Sequence, residues 1–468
     1  MIEKRWKVFL EKKWDYLIIS SFLILHLVYI NSPFVNFEWV YQEGSLFFLT
    51  GETKHLEPYF RIQANPLTYS YLASHFSDLL NSNHFFVYRL PALLGGVFLL
   101  IWCSRSNNSW LLLIIALNPL IWIYSGRAYS ELLSVGIMVW AFHWQSKPLL
   151  GGLLLAFSSV VKYHSLPFVL LNVGIKWLKD NFKVQFSYWQ RKPLIYGMIG
   201  ILFFVIFLVL YRIKFGFWIA PDYFIERHGT INIQNILNNL FSYGFYLSGM
   251  FFLTIPAFLN TEKLKLKAIL LVPSILLGIA NQNLGEMDFG SFQQLLGNEI
   301  ILLIKIIGFW NFLLCCQAFW KDEESRTLLL TILGYLFIIS LTRPANRYLI
   351  FVVPFWAILV CQHISLSRMF WLGYVSVLAG LNLFATLYQI SNATASANMA
   401  DWAIQNDVHI NLGGILYSHV GDFSHYDPNS PLVVSLAGAQ VGKILHEEPV
   451  RVLGFPIRSY VLTDTNPN

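Results

Sequence analysis

Long apolar blocks recur along the chain from Leu17 to Ile390, separated by short polar stretches. Their length is that of helices crossing a bilayer, so the pattern predicts an all-α polytopic membrane protein with about thirteen spanning segments. The segments fall near residues 16–30, 90–102, 110–124, 129–142, 149–161, 166–175, 194–211, 241–260, 268–280, 299–319, 327–341, 348–362 and 370–390. Two longer stretches break the pattern. The first, residues 31–89, carries Glu38, Glu43, Glu52, Glu57 and Asp78. Within it, Asn65-Pro66 predicts a helix start, with a capping asparagine and proline at the first helical position. Tyr69, Leu72, Ala73, Phe76, Leu79 and Leu80 then repeat at helical spacing, as in an amphipathic helix lying on the membrane surface. A second surface helix is expected over Trp39–Leu49. The other stretch is the tail, residues 391–468. Its alternating runs at Pro431–Leu436 and Val450–Phe455 predict a small α+β domain. The expected division is a transmembrane domain over 1–390 and a C-terminal domain over 391–468.

Composition agrees with the pattern. Of 468 residues, 56% are hydrophobic, 17% aromatic and 12% charged. Ordinary soluble domains carry about 25% charged residues, so a soluble enzyme, a disordered chain and a fibrous repeat are excluded. The four cysteines, Cys103, Cys315, Cys316 and Cys361, lie in or at the ends of apolar segments. They offer neither a disulfide framework nor a paired metal motif. The basic N-terminus followed by an apolar stretch resembles a signal peptide, but Val28-Tyr29-Ile30-Asn31-Ser32-Pro33 lacks a small-residue cleavage site. An uncleaved first span is expected.

Charge sets the orientation. With the N-terminus inside, the inner loops collect Lys4 to Lys13, Arg105, Lys147, Lys176 to Lys192, Lys263 to Lys267, Lys321, Arg326 and Arg368. These are more than half of the chain's 32 basic residues, as the positive-inside rule requires. The net charge of +6 is therefore topological, and no nucleic-acid partner is implied. Lys147 and the cluster from Lys176 both belong inside, so two short crossings must meet outside at Lys162-Tyr163-His164-Ser165. An odd number of spans leaves the tail outside.

Candidate chemistry gathers at that outer face. Solvated loop acids usually mean nothing, but Glu43 opens a helical stretch in the first outer loop, where a carboxylate can serve as a general base. Arg127, Lys162, Arg343 and Arg347 form the cationic set. Each is either an interfacial anchor or part of a phosphate site, for which guanidinium groups are well shaped. Two arginines in Arg343-Pro344-Ala345-Asn346-Arg347 stand out on the side that avoids basic residues. Lys305 lies within a span, either functional or snorkelling to the interface.

Several motifs occur in a telling order. They are Glu43-Gly44 followed by Gly51, Glu57-Pro58-Tyr59, Asn65-Pro66-Leu67-Thr68-Tyr69, and Tyr88-Arg89-Leu90-Pro91. Asn118-Pro119-Leu120, Tyr124-Ser125-Gly126-Arg127-Ala128, Val161-Lys162-Tyr163 and Arg347-Tyr348-Leu349 come later. In this order the chain resembles the GT-C superfamily of integral-membrane glycosyltransferases, over roughly residues 15–390. The protein-mannosyltransferase-like and lipid A aminoarabinose-transferase-like families are the nearest in pattern. The resemblance implies a polyprenyl-phosphate-linked sugar donor and an active site on the outer face of the membrane, in bacteria the cytoplasmic (inner) membrane. It also implies a catalytic acid from an acidic pair in the first outer loop. Here the position that is commonly Asp is Gln42, so the base is Glu43 or Glu38. Glu131 matches the place of a second acid. Glu131, Glu57, Tyr163 and His164 are the expected substrate-binding residues, and Arg347, Arg343, Lys162 and Arg127 the donor-phosphate residues.

The chemistry needs little else. A lipid phosphate is already a leaving group, so no cofactor and no nucleotide-binding fold is expected; no P-loop or GxGxxG is present. One base for the acceptor and cations for the departing phosphate suffice, without the paired carboxylates of a glycoside hydrolase. The expectation is an inverting glycosyltransferase acting on a glycan, lipid or protein acceptor. A lipid-linked-sugar transporter or flippase without chemistry is the rival of another class. Transporters tend to show repeated halves and midplane charges, and no repeat is visible here. An O-antigen ligase or polymerase is a third reading. The charge census makes one prediction: reporter fusions after residues 15 and 400 should lie on opposite sides of the membrane. Finding both on one side contradicts the odd-span topology.

Overall fold

Apolar sequence becomes helix nearly throughout. The computed structural model describes residues 2–34, 38–62, 65–106, 108–181, 191–222, 233–249, 255, 264–281, 290–341, 345–364, 367–411, 425, 427, 429–436 and 442–465. In chain order the helices are α1 (Ile2–Tyr29), α2 (Trp39–Thr50), α3 (Leu56–Ile62), α4 (Thr68–Leu80), α5 (Phe85–Ser104), α6 (Ser109–Ala116), α7 (Pro119–Ser125), α8 (Ser130–His143) and α9 (Pro148–Val161). They continue with α10 (Ser165–Asn181), α11 (Arg191–Phe215), α12 (Ile233–Gly249), α13 (Leu264–Ile269), α14 (Leu271–Ala280), α15 (Gly290–Phe319), α16 (Glu323–Ser340), α17 (Val353–His363) and α18 (Arg368–Gln405). Among the described residues, four stretches are long and apolar enough to cross a membrane: Phe85–Ser104, Pro193–Phe215, Glu299–Phe319 and Arg368–Gln405. Shorter apolar helices lie at Ser130–His143, Pro148–Val161, Lys267–Ala280 and Val353–His363. The chain is a multi-pass membrane protein. The expected span 110–124 is two helices, broken at Asn118-Pro119, where Asn118 Oδ1 caps α7 by accepting from the Leu120 and Ile121 amides. Part of the expected span 241–260 lies outside the described residues.

The chain divides into two units. One comprises residues 1–19, 95–121 and 131–378. Inside it α5 and α8 meet at glycine. A Cβ on Gly136 would stand 2.3 Å from the Gly95 carbonyl oxygen, and one on Gly95 would stand 2.4 Å from Leu133 Cα. Small residues of this kind let membrane helices approach closely. Next to this seam, Ser134 and Ser158 each donate to the other's carbonyl, at 2.9 and 2.8 Å, tying α8 to α9. Phe142, Phe168 and Phe355 pack edge-on or tilted against one another beyond it. Farther along, Lys305 of α15 donates to the Asn281 carbonyl at 2.8 Å. Asn281 is the C-cap of α14, where a helix end favours a cation.

The other unit comprises residues 20–94, 122–130 and 379–468. Here α4 departs from expectation. It starts at Thr68 with no side-chain cap, and Asn65 instead donates its amide to Tyr41 Oη at 3.4 Å. Its buried face is Tyr69, Ser70, Ala73, Ser74 and Ser77, while Leu79 and Leu80 are 78% and 46% exposed. The packed face joins Tyr69 to small residues, and the two leucines at the helix end are left outside it. In the tail, β1 (Leu432–Leu436), β2 (Lys443–Val452) and β3 (Phe455–Asp464) form an antiparallel sheet in the order β1-β3-β2. Helix α18 runs through the expected boundary at residue 390 without a break. Its Ala395, Met399 and Ala403 form one core with Val434, Val450 and Tyr460 of the sheet. The triplet Asn392-Ala393-Thr394 lies in α18, where Asn392 Oδ1 accepts from Arg458 and Tyr460.

The glycine seam makes a prediction. Gly136→Ala gains about 1 kcal/mol of helix propensity but drives a methyl group into backbone, and overpacking costs about 1–3 kcal/mol. Because backbone cannot rotate away, the clash should win, and larger residues should be worse. Thermal melts in detergent should rank Gly136→Leu below Gly136→Ala below wild type. Equal stability for all three contradicts the close approach.

Candidate functional site

The first charged cluster belongs to the unit that holds α8, α9 and α10. Glu131 sits in the first turn of α8, where the helix dipole favours a carboxylate. Helix α9 stops at Val161, and Lys162, Tyr163 and His164 make the turn before α10, as the charge pattern predicts. Serines fix this turn: Ser165 Oγ donates to the Lys162 carbonyl at 3.3 Å, and Ser159 and Ser165 hydroxyls meet at 3.1 Å. A 3-10 turn over Asn346–Phe351 brings in Arg347. Lys162 Nζ and Arg347 Nε then converge on the same oxygen, Glu131 Oε1, at 3.0 and 3.2 Å. The Lys162 and Glu131 side chains are sealed, whereas Arg347 is 23% exposed. These are ion-pair contacts: neither Glu131 oxygen has a hydrogen-bond partner among the described residues. Two cations on one carboxylate leave an excess positive charge, which suits an anionic ligand.

An aromatic stack borders the cluster. The His164 ring lies 4.3 Å from Tyr348 and 4.5 Å from Tyr163 between centroids, nearly parallel to both. His164 is buried, and its Nδ1 has no hydrogen-bond partner among the described residues. Burial, then Lys162 and Arg347, hold its pKa well below the usual 6.5. Burial likewise pushes the Tyr163 phenol up. The imidazole is neutral, a proton acceptor beside two cations.

The second cluster belongs to the other unit, and its chemistry is different. Arg89 donates Nε to Glu38 Oε1 at 2.9 Å and Nη2 to Oε2 at 2.8 Å. Its remaining donors reach the carbonyls of Ile30, Ser32 and Pro33. Glu38 Oε1 also accepts the Ala128 amide at 2.6 Å. Both side chains are fully buried. Nearby in sequence, Arg127 is 5% exposed and lies over the Tyr124 and Tyr129 rings at 5.8 and 5.6 Å. Its Nε has no hydrogen-bond partner among the described residues.

In the same unit, Glu43 and His55 make a third group. His55 Nδ1 lies 2.7 Å from Glu43 Oε2, and both side chains are about seven-eighths buried. Its Nε2 lies 3.6 Å from Glu52, which pairs with Lys54. Glu57, in the first turn of α3, is exposed. Arg343 lies outside the described residues. Thus the expected residues fall into separate groups: Lys162, Arg347, Glu131, Tyr163 and His164 in one unit, Glu38, Glu43, Glu57 and Arg127 in the other. Sequence reasoning missed His55 and gave Arg89 no role. A histidine twelve residues from Glu43 has no helical or strand period to flag it. Arg89, an arginine entering an apolar helix, was the available signal for a buried acid partner.

His164 makes a pH prediction. Its folded-state pKa lies below its unfolded value, so the unfolded chain takes up the extra proton as pH falls through 6.5. Stability from the neutral ring is therefore full above pH 6.5 and is lost on acidification, by up to about 1.4 kcal/mol per pH unit. Melting temperatures between pH 7.5 and 5 should fall more steeply for wild type than for His164→Phe. Parallel slopes contradict the buried neutral imidazole.

No family profile and no curated protein matches the chain. Among solved structures, the crystal structure of ArnT from Cupriavidus metallidurans in the apo state is similar over 96% of this chain and 98% of that one. The identity is 11% and the TM-score 0.40. A likeness that loose transfers neither fold nor residue roles.

Proposed function

We propose that the protein is an inverting glycosyltransferase of GT-C type, with about thirteen crossings, working on the outer face of the membrane with a polyprenyl-phosphate-linked sugar. The observation that carries this reading is the convergence of Lys162 and Arg347 on Glu131. Buried charge at the ends of apolar helices is costly and points to function by default. A lipid-anchored phosphate is the anion that such a place would meet.

The roles follow from chemistry. The acceptor hydroxyl attacks the anomeric carbon, the carbon–oxygen bond to phosphate breaks, and one displacement inverts the configuration. Glu43 takes the hydroxyl proton, and His55 orients its carboxylate. Lys162 and Arg347, held by Glu131, take the charge of the departing polyprenyl phosphate; Arg127, and Arg343 from sequence alone, are lesser phosphate partners. Glu131's second oxygen, Tyr163 and His164 face the sugar, and Glu57 the acceptor. Glu38 is set aside as the base, because the Arg89 fork and the Ala128 amide occupy its oxygens. It positions the first loop instead.

The test is sugar transfer by purified protein, scored by release of polyprenyl phosphate. Arg347→Ala should weaken donor use about 10- to 100-fold, the equivalent of a charge-assisted hydrogen bond of roughly 1.5–3 kcal/mol, with Arg347→Lys rescuing only in part. Glu43→Gln should cost about 10²–10⁴ in turnover with donor binding retained. Glu57→Gln should stay near wild type in turnover. Absence of any polyprenyl phosphate release by wild type, with donor lipid moved across the bilayer, would establish the transporter instead.

A further inference from the structure

The tail's β2–β3 hairpin carries an apolar tip that stands exposed among the described residues. Val452 pairs with Phe455, so Leu453-Gly454 is a two-residue turn. Leu453 is 77% and Phe455 72% exposed. Both turn residues have positive φ, 51° at Leu453 and 84° at Gly454. Such a turn favours Asn-Gly, and a leucine in the left-handed region is conformationally costly. Among the described residues, Leu453 is no part of the core that the sheet shares with α18.

The hairpin's register along α18 says where the tip lies. Asn398 donates to Glu448 Oε2 at 3.2 Å, and the Arg451 amide donates to Ser391 Oγ at 2.8 Å. Seven helical residues and three strand residues each cover about 10 Å, so β2 descends α18 toward the apolar stretch that ends at Ile390. Arg458, on the returning strand, lies 5.1 Å from the Tyr388 ring. Two to three strand residues beyond Arg451, the turn reaches the level of Phe384–Tyr388. That level adjoins the exposed apolar part of α18, where Leu381, Leu383 and Phe384 are 50%, 59% and 45% exposed. The tip therefore continues the exposed apolar surface of the helix. Arg451, exposed on the tip's flank, stands where lipid phosphates would be, and arginine stems snorkel in this way.

We infer that the Leu453–Phe455 hairpin tip inserts into the lipid interface, anchoring the C-terminal sheet to the membrane beside α18. The occupant is the bilayer itself, with Leu453 and Phe455 at the acyl boundary and Arg451 among the headgroups. The inference stands whether or not the protein transfers sugar.

The test uses the full chain in vesicles of phosphatidylcholine and phosphatidylglycerol. Nitroxide is attached through Leu453→Cys and, separately, through Lys443→Cys at the exposed far end of β2. Signal from native cysteines is subtracted with labelled wild type. The label at 453 should collide more with oxygen than with a water-soluble nickel chelate, and the label at 443 should do the reverse. Phe455→Cys takes the place of Leu453→Cys if that variant does not fold. Any other combination overturns the inference. Nickel accessibility at both sites means a tip in water, and accessibility to neither reagent at 453 means a protein partner.

Discussion

The buried carboxylates Glu38 and Glu131 each meet counter-charges, and among the described residues those pairings choose which turns and helix ends are joined. Taking an ion out of water costs several kcal/mol even after relaxation, and only an opposite charge with good geometry offsets it. In one unit Glu38 and Arg89, 51 positions apart, meet with no exposure to solvent. Arg89 thereby ties the start of α2 to the end of α1 through the Ile30, Ser32 and Pro33 carbonyls. In the other unit Glu131 gathers Lys162 and Arg347 from two separate turns. Apolar burial drives the helices together, but it is indifferent to which side chain meets which. The ions supply that choice.

The two carboxylates differ in how fully they are satisfied. Glu38 receives a bidentate fork and a backbone amide, the saturated state in which a carboxylate only holds its surroundings. Glu131 has two cations in ion-pair range of one oxygen, and neither of its oxygens has a hydrogen-bond partner among the described residues. A partly satisfied ion network beside a neutral buried imidazole is the weaker choice for stability. It is the better choice for exchanging partners when an anion arrives.

Much of this was legible in the sequence where the signal was local. The turn at Lys162–His164 followed from two flanking positive clusters. The strand at Leu432–Leu436 followed from alternation, whereas the run Val450–Phe455 is interrupted by the Leu453-Gly454 turn between β2 and β3. Signals that depend on distant residues were not legible. Glu38 and Glu43 are equivalent as sequence, five positions apart in one acidic loop, and only Arg89 on one side and His55 on the other distinguish them. Of the apolar positions that mark the helix after Asn65, Tyr69 and Ala73 are buried but Leu79 and Leu80 are exposed, and Ser70, Ser74 and Ser77 complete the packed face, because close helix approach rewards small side chains. The boundary at residue 390 marked where hydrophobicity ends, which is not where α18 ends. A helix continues for as long as it has a surface to cover, and the sheet supplies one as far as Ala403.

The central claim is that the Glu131 cluster exists to receive a lipid phosphate. A structure of the full chain in a lipid nanodisc with polyprenyl phosphate bound tests it most directly. The account predicts phosphate oxygens about 2.7–2.9 Å from Lys162 Nζ and the Arg347 guanidinium, with one of those cations drawn off Glu131 Oε1. A phosphate bound elsewhere, with both cations still on Glu131, would contradict it.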